Sequence, residues 1–136
     1  INTNMPRFAL GKIQDALNEC GKPLKGSRVI VLGVAYKPDI DDLRESPALD
    51  VIGLLKKKGA QVSYHDPYIP AISHDDWTLQ SVEDLMSQVK AADCVAVITN
   101  HSSYDYPAIL ETASLIVDTR NALGNLGRDH PKVVRL

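Results

Sequence analysis

Three stretches of this sequence carry side chains suited to an anionic ligand. The longest runs Gly33-Val-Ala-Tyr-Lys-Pro-Asp-Ile-Asp-Asp-Leu-Arg-Glu-Ser-Pro47, with Lys37 and Arg44 seven residues apart and Asp39, Asp41 and Asp42 between them. Cations beside a helix start suit phosphate oxygens, because free N–H dipoles and positive side chains act on the same group. Lysine brings a point charge, whereas arginine engages two oxygens at once. The same residues also make an ordinary surface loop in which arginine and aspartate pair with each other. The second stretch is Val117-Asp-Thr-Arg-Asn121, where Asp118 and Asn121 suit a turn and Arg120 either reaches a ligand or stays in water. The third is Ile98-Thr-Asn-His-Ser-Ser103, whose hydroxyls, amide and imidazole serve a ligand or, more simply, a turn and helix cap.

Other chemistries find less support. The four histidines are scattered and His101 has no second ligand at metal spacing, so no metal site is expected. Cys94 lies in an apolar run that reads as a buried strand, where a thiol packs as a small apolar group. Cys20 falls at a helix end near Lys12, Lys22 and Lys25, without a base close in sequence to activate it. Asp66 ends a strand, where a dinucleotide fold would hold a ribose. It lies farther from Gly33 than the usual spacing of roughly 20 residues. With Pro67 after it, Asp66 reads as a turn residue.

The elements that must position these residues follow from the apolar pattern. Arg7 to Cys20 reads as a helix through Phe8, Leu10, Ile13, Ala16 and Leu17, with Pro6 in its first turn and Gly21 at its end. Val29–Leu32 is a short apolar run without alternation, the mark of a strand buried on both faces. Ser46 and Pro47 suit the cap and first turn of a helix carrying Leu49, Ile52 and Leu55, closed by Gly59 after Lys56, Lys57 and Lys58. Gln61 to His65 is a second strand. Ser81 to Lys90 reads as a helix capped by Ser81, and Cys94 to Ile98 as a third strand. Tyr106 to Thr112 is helical, Leu115 to Val117 is a fourth strand, and Val133-Val134 is a short fifth at an edge. The stretch from Pro67 to Leu79 is the least regular and is expected on the surface. Such alternation predicts an α/β, Rossmann-like three-layer domain: a doubly wound, mostly parallel sheet of about five strands between helices. Ligands of such sheets bind beyond the carboxyl ends of the strands, where all three polar stretches fall. Only Gly33 of the first stretch is glycine, so the GxGxxG dinucleotide fingerprint is missing there.

Composition sets the bounds. The 136 residues fit one domain, with apolar residues at 44% and charged residues at 24%, as in a globular protein. A net charge of −2 gives no reason to expect nucleic acid or a membrane surface as partner. No apolar run approaches the roughly 20 residues of a membrane helix. Two cysteines make no disulfide framework, and a reducing, cytoplasmic setting is expected. The chain opens on Ile1 and not on methionine, so further sequence is expected upstream.

The segment Val31-Leu-Gly-Val-Ala-Tyr-Lys-Pro-Asp-Ile-Asp-Asp-Leu-Arg-Glu-Ser-Pro-Ala48 resembles a signature of the UDP-glucose/GDP-mannose dehydrogenase family, in its carboxy-terminal domain. The resemblance continues in order through Gly59-Ala-Gln-Val, Asp66-Pro67, Thr99-Asn-His and Val117-Asp-Thr-Arg-Asn121. Asn4-Met5-Pro6 resembles the family's junction after a central helical region. It implies a division into 1–21, a helix continuing from a central dimerisation region, and 22–136, a UDP-binding domain. It further implies an enzyme that oxidises the C6 alcohol of a nucleotide sugar to a carboxylate in successive NAD-consuming steps, for surface polysaccharide synthesis. By this resemblance Lys37, with the Tyr36 backbone beside it, contacts the UDP part of the substrate. Arg120 contacts the nucleotide portion, and Arg44 reaches across a cleft to the NAD phosphates. The family's catalytic thiol lies in an upstream Gly-x-Cys motif that neither cysteine here matches, and NAD is bound mainly by an amino-terminal domain. The chain alone is therefore expected to be inactive, and the full-length protein a homodimer or higher homo-oligomer. The loop and the Asn-His…Tyr-Asp-Tyr stretch look most like the branch acting on UDP-N-acetylglucosamine or UDP-N-acetylmannosamine. UDP-glucose, a stand-alone nucleotide-binding module and a purely structural domain remain alternatives.

Overall fold

The computed structural model describes residues 4–41, 43 and 46–136. Five parallel strands form the main sheet: β1 (Arg28–Leu32), β2 (Gln61–His65), β5 (Cys94–Val97), β6 (Ile116–Asp118) and β7 (Val133–Arg135), in the order β2-β1-β5-β6-β7. The chain thus winds outward from β1 to β2, then returns to lay β5 on the other flank of β1. The order of the strands reverses between β1 and β5, and in open parallel sheets ligands bind beyond the carboxyl ends of the strands at such a point.

The central strands are buried on both faces, which is why their sequences do not alternate. Val29, Val31, Cys94 and Ala96 face α1 (Met5–Glu19) and α2 (Pro47–Lys57), packing with Ile13, Leu17, Val51, Ile52 and Leu55. Ile30, Leu32, Val95 and Val97 face α3 (Leu85–Ala91) and α4 (Tyr106–Thr112), packing with Val89 and Ile109. Full burial of an aliphatic side chain contributes about 1.5–3 kcal/mol, so these two layers fix the strand order firmly. The expected doubly wound three-layer arrangement is what the chain adopts.

Three local expectations change. Phe8 is 57% exposed, and the core stripe of α1 instead runs through Ala9, Leu10, Ile13, Ala16 and Leu17. The stretch read as irregular surface holds an antiparallel hairpin, β3 (Ala71–His74) and β4 (Trp77–Gln80), and its Ile72, with Ile69 before it, is buried in the first core. The helix expected from Ser81 begins at Leu85 with Asp84 as its cap, the Asp84 carboxylate accepting from Ser87 N at 3.2 Å. Ser81 is drawn away from capping because it bridges to Tyr64 and its hydroxyl meets the Asp66 backbone. Ser46 caps α2 as expected, accepting from Ala48 N at 3.2 Å.

Candidate functional site

All five main strands run the same way, so the loops leaving β1, β2, β5 and β6 share one edge of the sheet. Gly33 starts the first loop at φ +83°, and a Cβ there would lie 2.3 Å from the Thr99 carbonyl oxygen and 2.6 Å from Thr99 Cβ. The glycine lets the exit of β1 lie against the exit of β5. Its open side is filled by protein, so among the described residues no glycine cradle for a dinucleotide pyrophosphate stands at this turn.

Asp66 ties these exits together. Its buried carboxylate accepts from Val34 N at 2.8 Å and Ala35 N at 3.1 Å through Oδ2, and from Tyr68 N at 2.8 Å through Oδ1. The same Oδ2 lies 2.8 Å from Nε2 of His101, a fully buried residue on the β5 exit. The other ring nitrogen, Nδ1, accepts from Asp39 N at 2.8 Å, which assigns the proton to Nε2 and makes His101 the donor to Asp66. A carboxylate out of water is sustained by such donors, and here four converge on it.

Further hydrogen bonds close the frame. Asp39 accepts from Ser102 N at 2.7 Å and from the Ser102 hydroxyl at 2.9 Å. Those two bonds hold its carboxyl below the usual aspartate range, the Ser102 backbone N–H contributing most. Thr99 Oγ1 donates to Ala35 O, and Ser46 Oγ donates to Val34 O, each at 2.5 Å. Tyr104 donates to His65 O at 2.8 Å and lies 3.0 Å from His65 Nδ1, while Tyr106 donates to His101 O. Burial lowers the His65 pKa and pushes the Tyr106 hydroxyl up to about 12.

The exit of β6 is built in the same manner. The buried Asp118 carboxylate accepts from Arg120 N, Ala122 N and Leu123 N at 3.0–3.1 Å, and Asn121 takes φ +56°. The turn expected of Asp118 and Asn121 is therefore present, and it presents Arg120 to solvent.

Lys37 and Tyr36 are exposed on the β1 exit, with the Lys37 ammonium 5.7 Å from the Tyr36 ring centroid. Neither Lys37 nor Arg120 enters an ion pair among the described residues. The fold thus brings Tyr36, Lys37 and Arg120 to one edge, across the exit of β5. Arg44, expected to reach NAD, lies outside the described residues. The side-chain carbonyl oxygen of Asn100, next to His101, is buried without a hydrogen-bond partner among the described residues. Cavities of about 420 Å³ (around Arg28, Gln61 and Ala92) and 260 Å³ (around Arg7, Leu54 and Asp75) lie away from this edge, the first at the amino end of the sheet. The candidate site is the cluster of polar groups on the carboxyl edge, and neither cavity is lined by them.

Sequence reading missed the pairing of Asp66 with His101. They stand 35 residues apart, and only the adjacency of β1 to both β2 and β5 brings them together. Asp66 was legible as a turn residue, which its bond from Tyr68 N bears out, but not as the centre of the site. Thiol chemistry gains nothing: Cys94 is fully buried and its pKa is pushed up to about 12 by that burial. Among the described residues no cluster of His, Cys, Asp or Glu could hold a metal ion, and no helix is long and apolar enough to cross a membrane.

Comparison with known proteins gives the family and the fold. Residues 30–125 match the model of the UDP-glucose/GDP-mannose dehydrogenase family, UDP binding domain. A UDP-N-acetyl-D-mannosamine dehydrogenase of Campylobacter jejuni is 36% identical over 107 residues, covering 76% of this chain and 25% of that protein. A UDP-glucose 6-dehydrogenase of Rhizobium meliloti is 30% identical over 129 residues, covering 89% and 28%. Among solved structures, the UDP-D-ManNAc dehydrogenase of Pyrococcus horikoshii superposes with a TM-score of 0.79 at 27% identity, over 98% of this chain and 30% of that one. The chain spans less than a third of the length of these relatives. A parallel sheet reversing between β1 and β5, a lysine and an arginine on its carboxyl edge, and a family match across both loops agree: the chain belongs to the UDP-glucose/GDP-mannose dehydrogenase family, over its UDP binding domain.

Proposed function

We propose that this chain holds the nucleotide part of a UDP-sugar within an NAD-dependent dehydrogenase that oxidises the sugar's C6 alcohol, UDP-N-acetylhexosamines being the favoured substrates. The observation that carries this reading is the exposed pair Lys37 and Arg120, on two exits of one parallel sheet and free of ion pairs among the described residues. The Lys37 ammonium meets a diphosphate oxygen as a point charge, steadied by the Tyr36 ring. Arg120 supplies a two-pronged donor to the nucleotide from the β6 turn. Relatives named for N-acetylmannosamine support the sugar class. The chain's own residues bind and orient, and the oxidising step belongs to groups outside it. NAD accepts the hydride, and since the turn at Gly33 is filled by Thr99, the dinucleotide is assigned to another domain. A cytoplasmic, homo-oligomeric full-length protein completes the proposal.

Calorimetric titration of the natural gene product with UDP tests it. One charge-assisted hydrogen bond contributes about 1.5–3 kcal/mol, so Lys37→Ala is expected to weaken binding roughly 10- to 100-fold, with Arg120→Ala behaving similarly. Binding unchanged in both variants would sink the reading.

A further inference from the structure

Lys37 sits midway along a span whose two ends are bolted to other loops. Two residues before it, Ala35 donates its N–H to Asp66 at 3.1 Å and gives its carbonyl to Thr99 Oγ1 at 2.5 Å. Two residues after it, Asp39 donates its N–H to His101 Nδ1 at 2.8 Å and grips Ser102 through both carboxylate oxygens. Between them Pro38 fixes its own φ. Asp39 itself is held at φ +63°, a conformation few residues other than glycine, asparagine and aspartate adopt readily. The bolts on the two ends meet in one place, because His101 donates to the same Asp66 oxygen that receives Ala35 N. Nothing in this frame touches the tip of Lys37, but it fixes the backbone on either side of the three residues, 36–38, that carry that tip.

Resting on the nucleotide reading above, we propose that Asp39, with His101 and Asp66 behind it, is a positioning residue for the UDP site. It preorganises the Tyr36–Pro38 span so that Lys37 meets the diphosphate without first being ordered. A site whose backbone is already fixed does not spend binding energy on ordering, so affinity, more than fold, depends on the brace. Asp39 is the member to perturb, because it is exposed and its loss leaves the buried Asp66–His101 pair in place.

The test is a double-mutant cycle in the natural gene product, with UDP as titrant and the thermal midpoint recorded for each variant. Asp39→Ala removes the grip on Ser102 and strains the φ +63° backbone. It is expected to weaken UDP about tenfold, with the protein still folded and its thermal midpoint lowered only modestly, since the bonds lost are exposed. Asp39→Asn tolerates the same backbone and still accepts from Ser102 N, and should restore affinity to within about twofold. In a Lys37→Ala background, Asp39→Ala should weaken UDP little further, since Asp39 acts through Lys37. Additive losses in the double variant would overturn the inference, as would an Asp39→Ala protein that binds UDP like the parent while Lys37→Ala does not. If Lys37→Ala itself leaves UDP binding unchanged, the nucleotide reading fails and takes the inference with it. A loss of affinity that tracks a lowered thermal midpoint, unrescued by Asp39→Asn, would reassign Asp39 to folding alone.

Discussion

Replacing Asp66 with alanine removes the acceptor for three backbone N–H groups and for His101 Nε2, all at 2.8–3.1 Å and mostly shielded from water. Hydrogen bonds to a charged group contribute about 1.5–3 kcal/mol each, but they are not additive, and removing the carboxylate also recovers its own desolvation cost. A net loss of about 3–5 kcal/mol follows, the scale of breaking one buried pair, and a large part of the roughly 5–15 kcal/mol that holds a domain together. Asp66→Asn is milder. Its carbonyl can occupy the Oδ2 position and keep Val34, Ala35 and His101, leaving the amide nitrogen to oppose Tyr68 N, for a cost of about 1–2 kcal/mol. Urea unfolding of the 136-residue chain, followed through its single tryptophan, Trp77, separates the two by their midpoints at a common slope. An Asp66→Ala loss below about 1 kcal/mol, or an asparagine variant as damaged as the alanine, would refute Asp66 as the centre of the frame.

Two other perturbations probe the same edge. Gly33→Ala should cost about 3 kcal/mol or more, because its Cβ would overlap Thr99 backbone at 2.3 Å on a φ +83° residue; Gly59→Ala shares the positive φ (+86°), but its one tight contact is the flexible Lys25 Cγ at 2.9 Å, so it should cost about 1 kcal/mol. Equal urea midpoints for the two variants would contradict this. His65 has its folded pKa lowered by burial from 6.5, so its contribution to stability is whole above that value and is lost as pH falls from 6.5 toward the folded pKa. Urea midpoints at pH 7.5 and pH 5.5 should therefore diverge, and His65→Gln should narrow the gap; an unchanged gap would remove His65 from the account. Asp39 and Asp93, whose pKa values are lowered, add losses only below about pH 4, on the acid side of the 3.8 of an ordinary aspartate.

The parallel core was readable because its signals are local. Val29–Leu32 lacks alternation since its side chains feed two cores, and Tyr106–Thr112 follows a helical pattern with Asp105 before it to cap. The hairpin at 71–80 hid itself because its turn uses Asp75 at φ +51° where a glycine would have announced it. Ser81 looked like a helix cap because its hydroxyl's real partner, the Asp66 backbone, is fifteen residues away. Lys37 and Arg120 were legible as cations on strand exits, since topology alone places such exits on one edge. Asp66 and His101 were not, because each is unremarkable in its own segment and acquires meaning only when β2 and β5 flank β1.

The most direct test of the central claim is to map UDP onto the protein by amide chemical shifts, in an isotopically labelled sample titrated with the nucleotide. The carboxyl-edge site predicts saturable shifts concentrated at residues 33–39, 98–103 and 118–121, with the amino end of the sheet unmoved. Shifts gathered instead around Arg28, Gln61 and Ala92, where the 420 Å³ cavity lies, would contradict the account and move the nucleotide to the opposite end of the fold.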